Sequence, residues 1–160
     1  MIASSLPNND GEEIVNILLS KGADVNIQSS TGQTALHFCA SKDNLDIARK
    51  LLSLHGTAKA SARIKDKRGQ LPLHRAAAAA GSGALSLVKL LLENKSPLDA
   101  SDVDGMTALH HAISEGRGEV AMELLKAGGA SDKKDGEGRL AIDTAPDTKV
   151  RNGPDRLHRQ

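Results

Sequence analysis

Aromatic residues and cysteine are almost missing from this chain. Its 160 residues include one phenylalanine, one cysteine, and no tyrosine or tryptophan. Globular cores of this size usually contain several aromatic side chains, so smaller aliphatic residues must fill this one. A single cysteine, Cys39, excludes an intrachain disulfide and a cysteine-based zinc site. Its position between Phe38 and Ala40 favours a small buried apolar residue over a reactive thiol.

An excess of one charge and long apolar runs are missing as well. The formal net charge is +1, and no run of five or more Lys and Arg residues occurs. Because nucleic-acid binding needs basic residues gathered on one face, we do not expect a nucleic-acid ligand. No segment approaches the roughly 18 apolar residues of a membrane span, and the first ten residues do not resemble a signal peptide. We therefore expect no membrane partner and a cytoplasmic and nuclear location.

Motifs for catalysis are also lacking. Gly81–Gly83 has neither a preceding strand nor the third glycine of a dinucleotide fold, and the chain contains no phosphate-binding Gly-rich loop ending in Lys-Ser or Lys-Thr. Glu12 and Glu13 lie at the start of an expected helix, where negative charge is favourable. Asp102 and Asp104 lie in an expected turn, where aspartate bonds its own backbone. We expect no enzyme, no catalytic or cofactor-binding residues and no cofactor.

One motif recurs four times, at 32–37, 69–74, 105–110 and, in a weaker form, 138–143. It reads Gly-Gln-Thr-Ala-Leu-His in the first copy, and its glycines are 37, 36 and 33 residues apart. This period, with a core like Thr-Pro-Leu-His, is the signature of the ankyrin repeat. In such arrays each repeat touches only its neighbours, so Leu, Ala, Ile and Val can fill a thin core. We predict an all-α repeat solenoid of helix pairs joined by short β-hairpin loops.

The repeat frame divides the chain into about three full repeats with a partial repeat at each end. The first unit begins inside a repeat, and Pro146 with the polar residues after it leaves the last unit without an apolar outer helix. Incomplete end units should expose apolar surface. The predicted units are 1–28, 29–65, 66–101, 102–134 and 135–148, followed by a polar tail at 149–160 that we expect to be disordered.

Each full unit is predicted to contain a first helix and an amphipathic outer helix. Thr34 should cap a first helix that runs to about Asp43, and Pro72 suits the first turn of the next one. The extra residues 78–83 are expected to lengthen the first helix that begins at Pro72. Gly128 should end the last outer helix, because glycine accepts a positive φ.

The repeated histidines His37, His74 and His110 could suggest a metal site. Stacked helices would hold them roughly 10 Å apart, whereas a metal–nitrogen bond is about 2 Å long. We therefore expect no metal, and we expect each histidine to bond backbone between hairpins. His111 follows His110 on the helix, points elsewhere and should be free for a partner.

Two segments carry a closer resemblance. Residues 63–67 with Gln70 and 72–77 resemble the fifth repeat of the gankyrin family, and 104–112 with 115–118 resemble its sixth repeat. The resemblance covers residues 1 to about 150 and corresponds to the last two-thirds of a seven-repeat protein. It implies an assembly chaperone of the proteasome regulatory particle, which binds the C-terminal domain of one base ATPase and keeps that subcomplex from docking early on the core particle.

A second activity of animal gankyrin does not carry over. Its retinoblastoma-binding Leu-x-Cys-x-Glu motif corresponds to residues 111–115, where only Glu115 matches. The alternative to the chaperone is a generic ankyrin adaptor or inhibitor in signalling or transcription, such as a kinase-binding protein. In either case we expect a monomer that binds a protein partner.

Ankyrin geometry predicts where a partner would bind. We call the surface formed by the hairpin loops and the solvent side of the first helices the concave surface. Its mixed charges suit a partner with ion pairs in a defined register, and its Arg and Met residues are expected to contribute most to affinity. The predicted exposed, partner-binding residues are Lys65, Lys67, Arg68, Gln70, Arg75, Asp102, Asp104, Met106, His111, Ser114, Glu115 and Arg117.

Overall fold

The computed structural model describes residues 2–5 and 9–146, and these form a helical solenoid as predicted. The polar tail predicted at 149–160 lies outside the described residues. Short 3₁₀ turns are present at Ile2–Ser5, Gly56–Ala58 and Ala141–Thr144. The α-helices of the described residues are α1 (Asn9–Ser20), α2 (Ala35–Ser41), α3 (Leu45–Ser53), α4 (Pro72–Ala78), α5 (Ala84–Glu93), α6 (Ala108–Ser114) and α7 (Gly118–Lys126).

The helices form two rows. The short helices α2, α4 and α6 stack on one another as an inner row, with the turns 2–5 and 141–144 packed at its two ends. The longer helices α1, α3, α5 and α7 stack as an outer row. Each inner helix packs against the outer helix that follows it in the chain, so a continuous core lies between the rows.

That core is built from aliphatic side chains, as the shortage of aromatic residues predicts. Cys39 is fully buried, and burial raises the pKa of its thiol to about 12. Cys39 is therefore a small buried apolar residue, as predicted. The largest core side chains that are at most 4% exposed include Leu36, Ile47, Leu51, Leu71, Leu73, Leu87, Leu91, Leu109 and Leu124.

Four hairpin loops, at 29–33, 66–70, 102–106 and 135–139, precede the inner elements. In each loop the N–H of the first residue donates to the carbonyl of the last at 2.8–3.0 Å. Regular strands are absent from the described residues, where the only bridge joins Lys134 and Leu140. Successive loops are linked by backbone hydrogen bonds, for example from Val103 N–H to the Arg68 carbonyl at 3.0 Å.

The repeated glycine is needed where these loops stack. Gly105 has a φ of 74°, in the left-handed region that favours glycine. A Cβ built at Gly105 would lie 2.5 Å from the backbone nitrogen of Gly136 in the next loop. A side chain at this position would therefore push apart the hairpins of the fourth and fifth units.

The extra residues of the third unit do not lengthen its first helix, so that prediction is wrong. Helix α4 ends at Ala78, and the loop that follows receives the side chain of Asp43 from the second unit. Gly83 N–H donates to Asp43 Oδ2 at 2.8 Å. A Cβ at Gly81 would collide with the same carboxylate. The glycines make room for this carboxylate, which joins the second unit to the third.

Outer helix α1 exposes an apolar row. Ile14, Ile17 and Leu18 are 41%, 54% and 45% exposed, and their spacing of three and four residues places them on one side of the helix. The expectation of exposed apolar surface in the first unit is thus confirmed. No helix among residues 2–5 and 9–146 has the length and hydrophobicity to cross a membrane.

Candidate functional site

The repeated histidines bond to backbone carbonyls, as predicted, and His37 and His110 do so across the boundary between two units. Thr34 N–H donates to His37 Nδ1 at 3.0 Å, so Nδ1 is an acceptor and Nε2 carries the proton. His37 Nε2 then donates to the Gln70 carbonyl at 2.9 Å. His110 makes the equivalent bond to the carbonyl of Arg139, whereas His74 Nε2 donates to the carbonyl of Ala100 at 3.0 Å, two residues before the hairpin of the fourth unit. Among the described residues, no three His, Cys, Asp or Glu side chains are grouped to hold a metal ion.

Burial disfavours the charged forms of His37 and His74 in the folded protein. Desolvation, together with the nearby His111, lowers the pKa of His74 to about 4. Desolvation also lowers the pKa of His37, although a backbone hydrogen bond to Gln70 opposes the shift. An unfolded histidine has a pKa near 6.5, so unfolding at acidic pH takes up protons.

We predict that the free energy of unfolding falls as the pH drops from about 6.5 toward 4. Because the folded-state pKa of His74 is depressed, its contribution is fully present above about 6.5 and is lost as the pH falls through 4. A shift from 6.5 to about 4 corresponds to about 3 kcal/mol. Urea unfolding followed by circular dichroism at several pH values measures this loss.

A matched pair of variants assigns the pH effect. His55 is exposed in a loop, so His55→Gln should keep the wild-type pH dependence. His74→Gln should be less stable near neutral pH but should lose less stability on acidification. Parallel pH profiles for wild type and His74→Gln would show that His74 does not cause the effect.

Aspartates hold the hairpin loops of the third, fourth and fifth units. Asp102 Oδ1 accepts hydrogen bonds from the N–H groups of Asp104 at 3.0 Å and Met106 at 2.9 Å. Asp66 and Asp135 accept two loop N–H groups in the same way. Each loop thus has its shape set by a carboxylate at its first position, which is the turn chemistry expected of aspartate.

Two predicted contact residues are buried, so the expectation that they are exposed is wrong. Gln70 and Asp102 are 5% and 8% exposed, because Gln70 Nε2 donates to Asp102 Oδ2 at 3.1 Å between neighbouring hairpins. Burial would raise the pKa of Asp102, but hydrogen bonds from His111, Gln70 and Met106 outweigh burial and lower it. Asp102 is therefore a carboxylate whose acceptor capacity is used inside the fold.

The expectation that His111 is free for a partner is also wrong. Its Nε2 lies 2.8 Å from Asp102 Oδ2, and its ring packs edge-on against His74 with the centroids 5.6 Å apart. Arg75 is held in the equivalent way, since its Nη2 donates to Asp66 Oδ2 at 2.8 Å. The side chains of Arg75 and His111 are 26% and 17% exposed. Both lie at the surface, but each is positioned by the hairpin of its own unit.

The hairpin loops carry most of the exposed charge among the predicted residues. Lys67 and Arg68 are exposed in the hairpin of the third unit, Lys65 is exposed directly before that hairpin, and Asp104 is exposed in the hairpin of the fourth unit. Arg68 Nη2 lies 3.8 Å from Asp104 Oδ2, which links two successive loops. We call Lys65, Lys67, Arg68 and Asp104 the charged face. Met106 is half-buried in the hairpin of the fourth unit. Ser114 is half-buried at the end of α6, and Glu115 is exposed directly after it, in the connection to α7.

Arg117 lies apart from the hairpin loops. It is in the connection between α6 and α7, where its Nε donates to the Ala78 carbonyl at 3.4 Å. It lines a cavity of about 240 Å³ between the loops 79–85 and 116–120. Seven helical residues, or about 10 Å, separate this connection from the hairpin. The structure therefore does not group Arg117 with the charged face.

Sequence reasoning missed a residue of the second unit. Phe38 follows His37, just as Arg75 follows His74 and His111 follows His110, so it holds the same place in the repeat. It is half-buried like those two residues. The signal was present in the repeat frame, but the predicted surface was restricted to the third and fourth units.

Comparisons with known proteins agree with this architecture. A model of ankyrin repeats in three copies matches residues 1–79, and a model of ankyrin repeats in many copies matches 73–125. The probable 26S proteasome regulatory subunit p28 of Saccharomyces cerevisiae is 38% identical over 130 residues, which are 80% of this chain and 54% of p28. The chain thus spans about half the length of p28.

Two other relatives share the repeats over a smaller part of this chain. The E3 ubiquitin-protein ligase KEG of Arabidopsis thaliana is 39% identical over 104 residues, or 64% of this chain and 6% of the ligase. Neurogenic locus notch homolog protein 1 of Mus musculus is 36% identical over 101 residues, or 62% of this chain and 4% of that protein. The similarity to p28 confirms the predicted resemblance to the gankyrin family, and the chain belongs to the ankyrin-repeat family, whose repeats mediate protein–protein interaction.

Proposed function

We propose that this protein is an assembly chaperone of the proteasome regulatory particle and binds the C-terminal domain of one base ATPase through its concave surface. The observation that carries the proposal is the 38% identity to p28 over 80% of the chain. An alignment of that length leaves only a fifth of the chain outside it, so it includes most of the three central units. These units contain the charged face.

The charges of this surface support a specific partner. The three cations of the charged face lie in or directly before the hairpin of the third unit, and its carboxylate, Asp104, lies in the hairpin of the fourth unit. A partner that matches them needs carboxylates opposite the first of these hairpins and a cation opposite the second. Complementarity of this kind speeds association and rejects wrong partners more than it adds affinity. The proposed mechanism is capture of the partner by shape and charge, with no chemical step.

A generic adaptor is the second candidate. It is favoured by the similarity to KEG and to notch homolog protein 1, whose identities of 39% and 36% are comparable to that of p28. Ankyrin repeats of similar sequence thus occur in proteins of other kinds. A partner outside the proteasome would support this candidate.

The test is a calorimetric titration of the protein with the purified C-terminal domain of each base ATPase in turn. We expect one domain to bind the wild-type protein. The double variant Lys67→Glu/Arg68→Glu should bind that domain about 100-fold more weakly, because each reversal places like charges together across the interface. The measured quantity is the dissociation constant at fixed ionic strength.

A charge-matched control separates local contacts from net charge. Lys21 and Lys126 are exposed at the ends of α1 and α7, in the outer row. Lys21→Glu/Lys126→Glu changes the net charge by the same amount and should bind like the wild type. Absence of binding to every ATPase domain would overturn the chaperone proposal. Equal weakening of binding by both double variants would show that the charged face does not form the binding surface.

A further inference from the structure

The inner row presents one side chain per full unit at the same place on the concave surface. These side chains are Phe38 on α2, Arg75 on α4 and His111 on α6, each directly after the repeated histidine. In the third and fourth units this residue is held by the aspartate that begins the hairpin of the same unit. The two contacts, Arg75 to Asp66 and His111 to Asp102, are both 2.8 Å long.

The second unit departs from this arrangement at both positions. Its hairpin begins with Ser29, whose Oγ accepts from the N–H groups of Thr31 at 3.3 Å and Gln33 at 3.2 Å. Ser29 Oγ therefore accepts the two loop N–H groups that one carboxylate oxygen of Asp66 or Asp102 accepts in the later units. A serine has no second oxygen to hold the helix residue, and a phenyl ring has no group for a carboxylate to bind. The contact to a carboxylate is replaced by the only phenylalanine in the chain.

Phe38 is not used as a core residue in the way its type would suggest. It is half-buried, and among the residues the structure describes it is not one of the half-buried apolar side chains that pack against the buried core. Ile113 on α6, by contrast, does pack against that core. Part of the Phe38 side chain is therefore accessible at the surface.

The charged groups near Phe38 are basic. Lys42 follows it by four residues, which places it on the same side of the helical turn, and Lys42 is exposed. The hairpin of the third unit stacks on that of the second unit through a bond of 3.0 Å from Lys67 N–H to the Thr31 carbonyl, which brings Lys67 and Arg68 next to the second unit. Asp66, the carboxylate of that hairpin, is buried and bound to Arg75.

We propose that Phe38 is an apolar anchor of the partner interface, and that it contacts an apolar side chain of the ATPase domain flanked by carboxylates. Aromatic residues at the centre of an interface often contribute most of its affinity when a ring of neighbouring contacts excludes water. The basic residues around Phe38 select a partner segment of opposite charge. This inference rests on the proposed function, because it names the chemistry of the same interface.

The test compares Phe38→Ala with the wild type in the titration against the ATPase domain that the wild type binds. We expect the dissociation constant to rise about 30-fold, as for a truncated aromatic hot spot. Phe38→Leu keeps an apolar side chain at the helix and should weaken binding only a few-fold. Met122→Ala, at a 55% exposed position on α7, should bind like the wild type.

The Phe38→Arg variant tests whether weaker binding could result from unfolding of the protein. Arginine occupies this place in the third unit, so the helix tolerates it there, and circular dichroism checks that each variant remains folded. A folded Phe38→Arg protein should also lose binding, because the apolar contact is gone while the surface stays basic. Wild-type affinity in folded Phe38→Ala and Phe38→Arg would overturn this inference alone. Absence of binding by the wild type would overturn the proposed function and this inference with it.

Discussion

The Asp102→Ala protein is expected to unfold with a free energy about 3 kcal/mol below that of the wild type. Asp102 accepts four hydrogen bonds, two from its own loop and one each from Gln70 and His111. Its side chain is only 1% exposed, so water cannot take its place. Removing one partner of a buried pair leaves the other partners unsatisfied, at a cost of about 3–5 kcal/mol.

Asp104→Ala is the matched control for this prediction. Asp104 lies two residues away in the same loop, but its side chain is 61% exposed and its contact to Arg68 is 3.8 Å long. Exposed pairs contribute about 0–1 kcal/mol, so this variant should be nearly as stable as the wild type. Urea unfolding by far-ultraviolet circular dichroism measures both, since the chain has no tryptophan or tyrosine to report by fluorescence. Similar losses in the two variants would contradict the structural role of Asp102.

A second large effect is expected from Leu124→Ala. Leu124 on α7 is fully buried in the core, and deleting its side chain leaves a cavity between the inner and outer rows. Losses of about 3–5 kcal/mol are typical of such sites. We expect a loss of about 3 kcal/mol in the free energy of unfolding.

The neighbouring residue provides the control. Leu125 is 37% exposed, and Leu125→Ala should cost less than about 1 kcal/mol, as most surface substitutions do. The pair differs by one position on the helix and is chemically identical. Equal losses of unfolding free energy in the two variants would show that the core does not lie on the Leu124 side of α7.

The contrast between Asp102 and Asp104 bears on function because it divides the polar residues of the concave surface into two groups. Gln70 and His111 are both bonded to Asp102 within the fold, and substitution of any of these three residues changes stability before it changes binding. The charged face and Phe38 have few such contacts. Binding experiments are therefore best interpreted at Lys67, Arg68 and Phe38, where a loss of affinity need not reflect a loss of structure.

The number and order of the helices could be predicted because the signals for them are local. The repeated glycine, the Pro72 start and the three-and-four spacing of leucines each act within a few residues of the chain. The backbone role of His37, His74 and His110 was also predictable, since a fixed period places each histidine opposite the next hairpin. The interface itself stays a prediction.

The burial of Gln70 and Asp102 could not be predicted in the same way, because these two side chains bond each other across 32 residues of the chain. Gln70 donates to Asp102 of the next unit. The loop after α4 binds the side chain of Asp43 from the previous unit. A repeat period says that two units are neighbours but does not say which of their polar groups will bond. The pattern along the chain is thus enough for the helices and the order in which they stack. Which charges remain for a partner is set by pairing between units, because a buried polar group must find a bond wherever the stacked backbone brings one.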